Sequence, residues 1–132
     1  MSYLFGRTLA VIGIVPIATG LYGVLTGSGG IPGGDAASAN VESELRFLYA
    51  LWIAYGAAAV YVGLRAPQSR AAVGALAAVL FAAGVARAIA WIAEGRPDTA
   101  FVVLMVLELA IPPLLVTWQG RLLGTREVES VG

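Results

Sequence analysis

A chain of 132 residues that is 59% hydrophobic and 12% charged is far poorer in charge than a soluble domain, where about a quarter of residues are Asp, Glu, Lys or Arg, so it reads as a membrane protein. Cysteine, histidine and lysine are all absent, which excludes disulfides, thiolate catalysis, iron–sulfur and Cys-ligated zinc sites, the usual haem ligand, the usual general base and any Schiff base; no metal or cofactor is expected. Net charge is zero and every cation is arginine, which binds anions but does not shuttle protons, and no basic tract points to nucleic acid.

The first apolar run covers residues 4–26, long enough to span, since a helix crossing about 30 Å of hydrocarbon needs roughly 20 residues. Gly6, Gly13 and Gly20 recur at a heptad interval and form a face that another helix can approach closely. Pro16 removes a helical hydrogen bond and is expected to kink this segment. The run exceeds the hydrophobic core of a signal peptide, so it is read as a retained helix. Residues 27–39 are Gly-Ser-Gly-Gly-Ile-Pro-Gly-Gly-Asp-Ala-Ala-Ser-Ala, a Gly-rich extracytoplasmic loop in which no helix is expected.

The second span is predicted over residues 44–64. Asn40 and Ser43 are its candidate caps, and Glu42 and Glu44 suit the positive end of its dipole. Arg46 does not, because that end of the dipole opposes it. Tyr49 lies near the face of Arg46 by helical spacing. The third span, residues 71–93, is rich in Ala and Gly and is expected to pack tightly. Arg87 sits about two turns before its end, with Gly84 and Trp91 on or near its face. The fourth span, residues 99–119, holds Glu108 and the Pro112-Pro113 pair. Those prolines leave the carbonyls of Glu108 and Leu109 without their helical donors and predict a kink just below the acid. Residues 120–132 are polar and are expected to form a flexible cytoplasmic tail.

The predicted architecture is all-α: one domain, an integral membrane antiparallel four-helix bundle with short connections. Arg7, Arg65, Arg70, Arg121 and Arg126 flank one side and only Arg46 and Arg96 the other, so the positive-inside rule places both termini in the cytoplasm. Trp52, Trp91 and Trp118 are read as interfacial anchors near span ends.

Charge inside lipid-length helices carries the functional signal. An ionised side chain at mid-span costs roughly 2.5–3.5 kcal/mol on insertion scales, so each needs a partner or a purpose. Side chains lean toward the N-terminus of their own helix, which on antiparallel neighbours brings Arg87 and Glu108 together. A buried Arg87–Glu108 salt bridge that only pins two helices is one reading. The other gathers Glu44, Arg46, Tyr49, Arg87, Trp91 and Glu108 into an outer-half pocket for the head of an amphiphile.

Asn40-x-x-Ser43-Glu44-x-Arg46-Phe47, Gly84-x-x-Arg87 and Glu108 together resemble a family of small bacterial four-helix membrane proteins that carries only a domain-of-unknown-function label. The resemblance spans roughly residues 5–121 and implies the four-helix fold and residence in the bacterial cytoplasmic (inner) membrane. It implies no activity. A looser, fold-level likeness is to the sterol-isomerase and sigma-two-receptor bundle, whose helices put acids into a lipid-facing cavity. Three functions follow as expectations: an inner-membrane protein that binds a lipid-like or quinone-like amphiphile; an accessory or structural subunit of a larger membrane complex; and, less favoured in a chain with no nucleophile–base pair, a membrane isomerase with Glu108 as proton carrier. The expected partners are the lipid bilayer, a bound lipid or quinone, and a membrane-protein partner or a homo-oligomer.

Overall fold

The structure, a computed structural model, describes the backbone of residues 2–131 and the side chains of residues 3–125. Its order is α1 (Ser2–Thr26), a 3-10 turn (Gly27–Gly30), α2 (Ala39–Arg65), α3 (Arg70–Glu94) and α4 (Thr99–Val131), with no strand among the described residues. Four helices are long and apolar enough to cross a membrane. Even the shortest, at 25 residues, is about 38 Å long at 1.5 Å per residue.

The element boundaries correct the sequence reading in three places. The Gly-rich segment is not wholly irregular, because Gly27–Gly30 closes a 3-10 turn, with Gly27 at φ +59° supplying the left-handed residue that ends α1. α2 starts at Ala39 rather than 44. Its first turn is held by Ser38, whose carbonyl accepts from Glu42 N–H at 2.9 Å and whose Oγ accepts from Val41 N–H at 3.4 Å, and not by Asn40 or Ser43. α4 continues past 119 to Val131, through the stretch assigned to a tail. Its two glycines there, Gly120 and Gly124, each cost a helix only about 1 kcal/mol, and the buried side chains of Gln119 and Leu122 anchor the helix on both sides of Gly120.

The contacts of the chain concentrate in two compact units. Arg7–Arg65 form the first, an antiparallel pairing of α1 with α2. Its helices meet through backbone: a Cβ added at Gly13 would lie 2.7 Å from the carbonyl oxygen of Gly56 and 2.9 Å from Val60 N, so the glycine stripe is occupied by the partner helix. Trp52 Nε1 donates to Thr19 Oγ1 at 3.0 Å, and its ring stacks on Tyr55 with centroids 5.2 Å apart. Trp52 therefore lies in the middle of α2 as a helix–helix contact and not at a span end, since α2 begins earlier than the periodicity suggested.

The second unit comprises α3, α4 and the start of α1. α3 buries Val73, Ala77, Leu80 and Gly84, and α4 buries Glu108, Pro112, Leu115, Gln119 and Leu122. Both sets step by three and four residues, the spacing of one helical face. Phe5 is 1% exposed and meets Trp118 edge-on at 5.2 Å. Ser69 caps α3 by accepting from Ala72 N–H at 3.2 Å. Gln119 Nε2 donates to the carbonyl of Pro67 at 2.8 Å, tying α4 to the turn before α3. Pro16, Pro112 and Pro113, the predicted kink sites, all lie inside continuous helices.

Candidate functional site

The α3–α4 pairing places the deepest charges of the second unit side by side. Gly84 starts the geometry: a Cβ there would lie 2.8 Å from Leu109 Cγ and 3.1 Å from Glu108 Cβ, so only a residue without a side chain lets α4 come this close. One turn further along α3, Arg87 Nε donates to Glu108 Oε2 at 2.8 Å. Glu108 lies about nine residues into α4, roughly 13 Å from its start, and Arg87 about seven residues, roughly 10 Å, before the end of α3. Phe101, in the first turn of α4, sits with its ring centroid 5.6 Å from Arg87 Cζ, within cation–π range.

The pair is not closed. Glu108 is almost fully buried, its side chain 5% exposed, whereas that of Arg87 is 36% exposed. Neither the Arg87 Nη atoms nor Glu108 Oε1 has a hydrogen-bond partner among the described residues. No sealed side-chain nitrogen or oxygen among those residues goes without one, so these free donors and this free acceptor are reachable from outside. Pro112 and Pro113 add to the polar surplus, because neither can donate to the carbonyls of Glu108 and Leu109. The arrangement offers an acceptor beside several donors at membrane depth, where unmet polar groups are expensive.

Arg46 belongs to the other unit, and its partners there are local. Arg46 Nη1 pairs with Glu42 Oε2, and its Nε donates to the carbonyl of Val24 at 3.1 Å. That carbonyl is in the last turn of α1, where an arginine offsets the negative end of the dipole. This accounts for a cation that the dipole of its own helix opposes. Glu42 also accepts from Ser28 N–H at 3.1 Å and from the Ser28 hydroxyl, while Ser28 Oγ accepts from Ala37 N–H at 3.2 Å. One carboxylate thus staples both ends of the loop to α2. The sequence reading gave Glu42 only a dipole role and did not single out Ser28. The Glu42–Arg46 spacing of one helical turn was an available signal; nothing local marks Ser28 among the loop residues.

Of the residues assigned to the pocket, the structure brings Arg87 and Glu108 into contact. Trp91 is half-buried one turn beyond Arg87. Tyr49 is half-buried, its ring against Gly23 of α1. Glu44 is exposed in the second turn of α2 and makes no hydrogen bond or ion pair among the described residues.

No curated protein and no solved structure matches the chain. A family model described as "Domain of unknown function (DUF4345)" matches residues 7–119, a stretch that runs from α1 through Arg87 and Glu108 to the buried Gln119. The resemblance read from the Arg46, Gly84, Arg87 and Glu108 motifs was to a family under a label of that kind, and the chain belongs to the DUF4345 family.

Proposed function

We propose that this protein is a multi-pass protein of the bacterial inner membrane, with both termini cytoplasmic, whose Arg87–Glu108 pair holds the polar head of a lipid-like or quinone-like amphiphile. The observation that carries this reading is the half-used ion pair: a buried carboxylate with one oxygen unpaired among the described residues, beside a guanidinium whose terminal nitrogens have no hydrogen-bond partner among them. A pair serving only to pin two helices has no need of free valences at that depth. Trp91, one turn along α3, is assigned to the apolar body of the ligand. Arg46 is secondary in this reading, because Glu42 and the Val24 carbonyl already engage it. The uneven distribution of arginine supports the orientation.

Native mass spectrometry of protein extracted from its own membrane tests the reading. Wild type is expected to retain a small hydrophobic molecule, and Arg87→Gln, which keeps one donor amide but no charge, is expected to lose it. Absence of any adduct on wild type, or equal retention by the variant, overturns it.

A further inference from the structure

The same pair also restricts the chemistry of what it holds. Glu108 Oε1 can only accept a hydrogen bond and the Arg87 Nη groups can only donate. They belong to residues joined by one ion-pair contact of 2.8 Å, so covalent geometry keeps the free acceptor and the free donors close to each other. The charges of Arg87 and Glu108 cancel, and Glu108 is 4% exposed, so little water screens its carboxylate. An anionic head placed on the guanidinium would lie against that carboxylate and be repelled by it. A carbonyl-only head would satisfy the arginine and leave Oε1 bare. The Phe101 ring already lies against the guanidinium, which favours approach to its free edge.

We infer that the site selects a neutral amphiphile whose head carries a hydrogen-bond donor next to an acceptor, a hydroxyl or an amide, and rejects anionic phospholipid. The hydroxyl or amide accepts from an Arg87 Nη and donates to Glu108 Oε1, completing both residues without adding charge. This inference rests on the amphiphile-binding reading above and narrows it.

The test uses three probes with identical tails: dioleoylglycerol, which has a free hydroxyl; its methyl ether, which can only accept; and dioleoylphosphatidic acid, which is anionic. Delipidated wild-type protein is given an equimolar mixture, and bound species are counted by native mass spectrometry. Dioleoylglycerol is expected to lead both competitors by roughly tenfold, the scale on which one unmet buried polar group changes affinity. In Glu108→Gln the arginine loses its counter-charge, and the ranking is expected to invert in favour of phosphatidic acid. Wild type that prefers phosphatidic acid, or that binds the ether as well as the alcohol, overturns the inference while leaving amphiphile binding in place. Wild type that retains none of the three overturns the inference, while amphiphile binding stands or falls separately on the adduct found with natively extracted protein. Should Glu108→Gln fail to fold, the wild-type ranking decides alone; should it fold and keep the wild-type ranking, the inference is wrong.

Discussion

The α1–α2 unit and the α3–α4 unit each carry an arginine–glutamate pair, and the two pairs are put to opposite uses. In the first, Arg46 and Glu42 share one helix turn, and their remaining valences go to backbone and loop: Val24, Ser28 and, through Ser28, Ala37. In the second, Arg87 and Glu108 come from different helices, one of them deeply buried, and keep donors and an acceptor in reserve. The lesson is that the sign and depth of a charge do not reveal its role. What distinguishes a fastening from a candidate binding site is whether the surrounding chain uses up its hydrogen bonds.

That contrast can be broken at either pair, and the largest effect is expected at the buried one. Arg87→Ala leaves the Glu108 carboxylate, 5% exposed, without its partner between two apolar helices. Loss of one member of a buried pair costs about 3–5 kcal/mol, and unfolding in detergent followed by circular dichroism should read a loss on that scale. Next come the glycines that set each interface. Gly13→Val drives a side chain into the Gly56 and Val60 backbone, which cannot give way, and is expected to cost about 1–3 kcal/mol as overpacking. Gly84→Ala meets the Leu109 side chain instead, which can rotate, so its cost should be smaller than that of Gly13→Ala in the same assay.

Gln119→Leu removes the donor to the Pro67 carbonyl and should cost about 1–3 kcal/mol for the acceptor left unsatisfied. The smallest global effect is expected from Ser28→Ala. It frees the loop from Glu42 and should speed amide exchange at residues 28 and 37 without changing protection in α3 or α4; a change there instead would contradict a local fastening role.

Much of this architecture could be read from residue order. Four spans followed from run length and charge scarcity, because lipid imposes both. The meeting of Arg87 with Glu108 followed from depth and the lean of side chains on antiparallel helices. Gly84 was legible as a neighbour of Arg87 but not as the close-approach residue opposite Leu109. The choice of Ser38 as the cap of α2, the mid-helix position of Trp52 and the continuation of α4 through Gly120 were not legible. Each depends on a tertiary partner that local propensity does not encode: the loop geometry for Ser38, Thr19 for Trp52, Pro67 for Gln119. Arg46 was conspicuous as a misplaced cation, and its explanation lay about one loop away, in the Val24 carbonyl.

The account rests on the Arg87–Glu108 pair being kept for a ligand and not for the fold, and replacing both residues separates these roles. Buried pairs can often be exchanged for apolar residues of similar size without loss of stability, so Arg87→Met with Glu108→Leu should leave the delipidated protein as stable as wild type. The decisive measurement is the thermal shift of both proteins on adding back a total membrane lipid extract. Wild type should be stabilised, by about 2.7 kcal/mol at roughly a hundredfold excess over Kd, and the double variant should not respond. Equal stabilisation of the two proteins, or none of wild type, would contradict the account.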